Sequence, residues 1–156
     1  MLLTMISVGK NAERFLEEGY QRYAQRIGRY AAIEFVVVPE ERVAAKGKKD
    51  YIREKESQRI REKLPSGSLI IGLEEKGKKF SSEELARTLG KWMEGGRKRV
   101  VFMIGGPYGL SEALKKEAHL LLSLSPMTLT HGMAKLLLME QIYRAFTLLR
   151  GEAYHK

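Results

Sequence analysis

Five short apolar runs, each followed by a longer amphipathic segment, constrain this chain more than any other feature. Leu2 to Val8, Ile33 to Val38, Leu69 to Leu73, Val100 to Ile104 and Leu120 to Leu124 are apolar almost throughout, as strands buried on both faces must be. Apolar strands alternating with helix-length segments predict an α/β domain with a largely parallel sheet flanked by helices. A chain of 156 residues fits one such domain over residues 1–156, with a core that stands alone.

The intervening segments carry helical periodicity. After Asn11, the spacing of Phe15, Leu16, Tyr20, Tyr23, Ile27 and Tyr30 places them on one face, which predicts a core-facing helix. From Gly47 to Leu64 the chain is dense in Lys, Arg and Glu, with only Tyr51, Ile52, Ile60 and Leu64 as its larger apolar members. That pattern predicts a helix exposed around most of its circumference, ended by Pro65-Ser66-Gly67. Glu74 to Lys79, charged and containing Gly77, reads as a surface loop. Ser81 with Glu84 forms a capping box ahead of Leu85, Leu89 and Trp92, and Gly95-Gly96 stops that helix. Ser111 caps another short helix. The last helix, Gly132 to Arg150, is apolar on most sides, so something beyond its own sheet must cover it, most simply a second subunit.

Composition narrows the chemistry. Without cysteine there is no disulfide framework, thiolate zinc site, iron–sulfur cluster or cysteine nucleophile. The three histidines form no pair at metal-ligand spacing, so no metal is expected. The most apolar stretch, Leu136 to Leu149, is interrupted by Glu140, Gln141 and Arg144, short of what a membrane span needs. Met1 to Val8 has no basic leader and no cleavage site, so a cytoplasmic location is expected. Lys and Arg number 28 against 19 Asp and Glu, a formal charge of +9 that suits an anionic partner such as nucleic acid.

Three loops stand out. Gly105-Gly106-Pro107-Tyr108-Gly109-Leu110-Ser111 follows a strand directly and lets backbone approach a ligand closely. Its spacing is neither that of a P-loop nor that of the dinucleotide fingerprint, and an ordinary strand-to-helix turn would look the same. Ser123 to His131 offers hydroxyls, exposed backbone groups, Leu and Met, the mixture that holds an adenosine; Thr130 also reads as a plain helix cap. Leu73-Glu74, at the carboxyl end of a third strand, would meet both loops in the crevice where open α/β sheets bind ligands. On the last helix, Glu140 and Arg144 stand four residues apart within an apolar stretch, and the chain ends Tyr154-His155-Lys156.

Taken in order, Ile71-Gly72-Leu73, Ile104-Gly105-Gly106-Pro107-Tyr108-Gly109, Leu124-Ser125-Pro126-Met127-Thr128-Leu129-Thr130-His131, Glu140-Gln141-Ile142-Tyr143-Arg144-Ala145 and Tyr154-His155-Lys156 closely resemble the RlmH family over the whole chain. The resemblance implies a SPOUT-class methyltransferase, a homodimer whose C-terminal part forms a deep trefoil knot. It implies S-adenosyl-L-methionine as cofactor and N3 of a pseudouridine in 23S rRNA of the assembled ribosome as target. By the same resemblance, Leu73, Gly105, Leu124, Ser125, Pro126, Met127, Thr128 and Leu129 cradle the cofactor, and Glu140, Arg144, Tyr154 and His155 lie near the RNA target, with the tail ordered by substrate. Either a neutral His155 takes the N3 proton or Arg144 stabilises the deprotonated ring. The chain departs from the family pattern at Thr130, Gly132, Lys135 and Ala153. A non-catalytic ribosome-binding factor and a SPOUT enzyme acting on another RNA are the competing readings.

Overall fold

The computed structural model describes residues 1–11, 13–42 and 48–154. The elements run β1 (Leu2–Val8), α1 (Arg14–Ile27), β2 (Ala32–Val38), α2 (Lys49–Arg61), β3 (Leu69–Lys79), α3 (Ser82–Glu94), β4 (Arg99–Ile104), α4 (Glu112–Glu117), β5 (Leu120–Ser123) and α5 (His131–Leu149). The five strands form one sheet in the order β2-β1-β4-β3-β5, and every neighbouring pair is parallel. Leu2 of β1 pairs with Ala32 on one side and with Arg99 on the other.

The strands alternate between two apolar layers, as a side-chain period of two requires. Leu3 and Met5 of β1, with Val100, Phe102 and Ile104 of β4, face Tyr20, Ala24 and Ile27 of α1, Leu89 of α3, and Leu138, Ile142 and Phe146 of α5. Ile6 and Val8, with Val101 and Met103, face Ile60 of α2, Leu110, and Leu114 of α4. The side holding α1, α3 and α5 carries the larger core.

Three expectations need correction. The Ile33 to Val38 strand, expected to be buried on both faces, is the edge strand β2, in which Val37 is 48% exposed and only Val38 is buried, because it has a neighbour on one side only. Phe15 is 61% exposed, although Leu16, Tyr20 and Ile27 of the same helix are buried; it stands just off the buried stripe. Tyr30 follows the end of α1, yet it stacks on Phe146 with centroids 5.4 Å apart. The 74–79 segment is strand and not loop. Pairing of β3 with β4 ends at Gly72, whereas pairing with β5 resumes at Lys78 and Lys79 after a register shift. Residues beyond Gly72 thus have one neighbouring strand only, which is why the segment carries charges. Gly77 must be glycine, because a Cβ there would lie 2.7 Å from the Leu121 backbone. The bulge between Leu73 and Lys78 lifts Glu74 and Glu75 toward the carboxyl end of the sheet.

Helix ends follow local chemistry. Ser81 accepts the Glu84 N–H at 3.1 Å while Glu84 accepts the Ser81 N–H at 2.7 Å, the complete capping box. Ser111 Oγ caps α4 and Thr130 Oγ1 caps α5. Gly132 leaves room for Leu16, whose Cδ1 would lie 2.7 Å from a Cβ at that position. No helix among the described residues is long and apolar enough to cross a membrane.

Candidate active site

A cavity of about 570 Å³ opens at the carboxyl ends of β3, β4 and β5, within the size range of small-molecule sites. Leu73 and the two bulge carboxylates, Glu74 and Glu75, form one wall. Ile104, Gly105, Gly106, Pro107 and Gly109 form a second, and the stretch from Leu124 to Ala134 closes the third. Gly105 cannot carry a side chain, because a Cβ would lie 2.5 Å from the Gly109 carbonyl carbon. Gly109 itself has φ +75, the left-handed region that favours glycine, and its N–H donates to the Gly106 carbonyl at 3.0 Å. The glycine loop is therefore a tight turn with bare backbone facing the cavity.

The third wall is fixed by its own hydroxyls. Ser123 Oγ donates to the Ser125 carbonyl at 3.1 Å, and Ser125 Oγ accepts the Met127 N–H at 2.9 Å. Thr128 Oγ1 donates across the mouth to Glu75 Oε2 at 3.2 Å, tying this loop to the β3 bulge. Of the residues expected to hold a cofactor, Leu73, Gly105, Leu124, Ser125, Met127, Thr128 and Leu129 line the cavity; Pro126 is exposed and does not. Sequence reasoning overlooked Glu75, which is legible only once the 74–79 segment is seen as a bulged strand.

The charge lining is unusual for this chain. Although the protein carries +9, the described residues of the cavity wall include two carboxylates and neither lysine nor arginine. Lys115 lies outside the wall, with its Nζ 2.5 Å from Glu74 Oε2. Inside the wall, burial and the nearby Lys135 ammonium push the His131 pKa below its ordinary 6.5, so the imidazole is neutral at pH 7. Lys135, 2% exposed, donates to the carbonyls of Val8 at 3.2 Å and Gly9 at 2.7 Å and so pins α5 to the end of β1.

The unfolded chain takes up the His131 proton at higher pH than the folded one, so this contribution to stability is complete above about pH 6.5 and is lost as pH falls through the lowered value. Thermal midpoints measured from pH 8 to pH 5 should fall less for His131→Asn than for the wild type. Parallel curves would remove His131 as the cause.

Glu140, Arg144 and Tyr154 come together elsewhere. Arg144 Nη2 and Nε lie 2.5 and 3.0 Å from Glu140 Oε1, and the Tyr154 hydroxyl donates to the same oxygen at 3.2 Å. The guanidinium stands 4.8 Å over the Tyr154 ring, which packs edge-on to Tyr143 at 4.7 Å. Gln141 Nε2 supports the other Glu140 oxygen at 2.7 Å. The carboxylate pushes the Arg144 pKa further up, so it stays cationic; burial and hydroxyl contacts raise that of Tyr154, so it stays a neutral phenol. The tail is anchored through Tyr154, with its hydroxyl 3.3 Å from that of Tyr23 and the Tyr30 hydroxyl donating to Glu152 at 2.6 Å. The Glu152 hydrogen bond pushes the Tyr30 pKa up to about 12. His155 lies outside the described residues.

None of this cluster lines the cavity. His131 opens α5 at the cavity mouth, and Arg144 lies thirteen positions along the same helix, a rise of about 20 Å. Of the two remaining histidines, His119 is structural, because its Nδ1 accepts the Ile70 N–H at 3.1 Å.

Comparison with known proteins agrees with this architecture. The family described as "Predicted SPOUT methyltransferase" matches residues 1–155. The ribosomal RNA large subunit methyltransferase H of Syntrophotalea carbinolica is 43% identical over 99% of both chains. Those of Geotalea daltonii and Streptococcus suis are 42% identical over 99% of both chains and 38% identical over 100% of both. Among solved structures, a probable methylase family protein from Haemophilus influenzae Rd KW20 superposes with a TM-score of 0.53 at 14% identity, covering 99% of this chain and 70% of that one, a likeness of fold. The sheet order, the glycine loop and the match along nearly the entire length lead to one assignment: the chain belongs to the SPOUT methyltransferases, in the ribosomal RNA large subunit methyltransferase H family.

Proposed function

We propose that this protein is a S-adenosylmethionine-dependent methyltransferase acting at N3 of pseudouridine 1915 in the 23S rRNA of assembled ribosomes, and that it works as a homodimer. One domain carries the activity in this reading, with its C-terminal part tied in the trefoil knot and its work done where ribosomes are, in the cytoplasm. The observation that carries it is the cavity wall: among the described residues it holds two carboxylates, Glu74 paired to Lys115 from outside and Glu75 bonded by Thr128, and no basic side chain, in a protein of +9. Such a wall suits a ligand with net positive charge and disfavours polyphosphate-bearing cofactors, while Leu73, Leu122, Leu124 and Leu129 offer apolar surface to a purine. The residues present therefore fit S-adenosylmethionine.

When bound, that group supplies an electrophilic methyl on a sulfonium, and transfer of it requires alignment and no metal. Gly105 and Gly106 would present bare backbone to it, and Leu124, Ser125, Met127, Thr128 and Leu129, with Glu74 and Glu75 opposite, would hold it in the cavity. Arg144, held by Glu140 beneath the Tyr154 ring, supplies a fixed positive charge for the uracil ring as N3 loses its proton. Neither Arg144 nor Tyr154 is a base at neutral pH, so the proton passes to His155 in this reading.

A homodimer answers the separation of cavity and tail cluster, because the cluster of one protomer can complete the cavity of its partner. Phe15 of α1 and Met133 of α5, exposed at 61% and 41%, supply apolar surface for such an interface. The reading is tested with labelled S-adenosylmethionine and ribosomes from a strain lacking its own enzyme of this family, mapping the methyl group by mass spectrometry. Label at the pseudouridine, lost when that residue is left as uridine, is the expected result. Cofactor binding without transfer would redirect the reading to another RNA. Absence of binding would favour a non-catalytic ribosome partner.

A further inference from the structure

Helix α2 carries two consecutive polar residues that are almost wholly buried, Glu56 at 2% and Ser57 at 3% exposure. Both face the glycine loop. Ser57 Oγ accepts the Ser111 N–H at 2.8 Å, where the loop enters α4. Glu56 Oε1 accepts the Glu41 N–H at 3.0 Å, which leaves Oε2 buried with no hydrogen-bond partner among the described residues. That oxygen lies against Gly106: a Cβ built there would be 2.6 Å from Glu56 Oε2 and 3.2 Å from its carboxyl carbon.

Gly106 is not among the positive-φ glycines, so its backbone conformation does not call for glycine. Space does, and the space is taken first by the Glu56 carboxyl, with Val8 Cγ1 next at 3.3 Å, so removing the carboxyl relieves most but not all of the crowding. An unpartnered oxygen in that position is tolerated best when the group is neutral. Burial pushes the Glu56 pKa up, and the Glu40 and Glu41 carboxylates push the same way, against the Glu41 N–H and Arg59.

We propose that Glu56 is a positioning residue for the cofactor cavity: its carboxyl props the glycine loop from behind, and position 106 is glycine in order to admit it. Ser57 holds the far end of the same loop, so α2, which lines none of the cavity, sets the shape of its second wall. The inference rests on the cofactor reading above.

The test compares E56A, E56Q, G106A and the double variant G106A/E56A. Titration with S-adenosylmethionine, kinetics on ribosomes and thermal midpoints are measured for each. E56A should raise the cofactor Kd and KM about tenfold with kcat unchanged, a split that general loss of stability would not produce. E56Q keeps the shape and the acceptor for Glu41, so its cofactor affinity should stay within about twofold of wild type. G106A should weaken binding about tenfold or more through the crowded carboxyl, and E56A added to it should restore part of that loss, a coupling that requires direct contact. Unchanged affinity in E56A, equal losses in E56A and E56Q, or a double variant no better than G106A would each overturn the proposal. If G106A does not fold, E56A against E56Q decides. The contact is also read in thermal midpoints, which E56A should lower in the wild type and raise in G106A. A wild-type chain that fails to bind S-adenosylmethionine would overturn the cofactor reading, while the midpoints still decide whether Glu56 props the loop.

Discussion

Arg144→Ala is expected to lower kcat for methyl transfer about 10²- to 10³-fold, the usual loss when a preorganised charge facing the reacting group is removed. Cofactor affinity should stay nearly constant, because Arg144 does not line the cavity. Stability should also fall, because the Glu140–Arg144 pair is largely buried, at 15% and 23% side-chain exposure, and loss of the guanidinium leaves the Glu140 carboxylate to Tyr154 and Gln141; rates are therefore compared where the variant is fully folded. Arg144→Lys should recover only part of the rate: an ammonium supplies charge, but not the planar group that stacks on Tyr154 and bonds Glu140 through two nitrogens. Single-turnover rates together with cofactor titration separate the outcomes. A parallel loss of rate and cofactor affinity would remove Arg144 from the RNA side of the reaction, and an unchanged rate would remove it altogether.

Complementation between two inactive variants should have an effect of similar size. Gly105→Val blocks the cavity, because even a Cβ there meets Gly109 at 2.5 Å, and Arg144→Ala disables the tail cluster. If each site combines the cavity of one protomer with the tail of its partner, a mixed dimer contains one doubly damaged site and one intact site. Unfolding and refolding the two variants together should then restore activity to about a quarter of the wild-type level, because half the dimers are mixed and each has one working site. Sites built within a single protomer would give no recovery, and the composite reading would fall.

The strands and the glycine loop were legible because each depends on local sequence. A β-strand buried on both faces has to be apolar throughout, and a backbone turned as sharply as that at Gly105 and Gly109 tolerates little but glycine. Thr130, Ser81 and Ser111 could be read as caps for the same reason, since a cap answers to its own next three residues. The 74–79 segment was not legible, because its charges report a half-paired strand and such a strand looks like a loop from composition alone. Phe15 obeyed the period of its helix without joining the core, since periodicity gives direction and not the width of the buried stripe. Lys135 was the least readable residue. Nothing local announces that a lysine will be 2% exposed, and its partners, the carbonyls of Val8 and Gly9, lie more than a hundred residues away. The tail cluster was named residue by residue from family likeness. Its distance from the cavity emerged only from the course of α5.

Placing β4 between β1 and β3 determines when this molecule can become whole. Leu2 and Leu3 find their inner partners, Arg99 and Val100, only after almost a hundred further residues exist. At ribosomal elongation rates of about 5–20 residues per second, the first strand leaves the tunnel and waits on the order of 5–20 s for the strand that covers its inner edge. During that interval β1 and β2 can pair with each other, but the edge later taken by β4 is an open, apolar template. Folding in vitro should accordingly be slow for a domain this size, limited by long-range parallel pairing and not by helix formation. Yield in the cell should depend on what shelters that first hairpin-less pair until the middle of the sheet arrives.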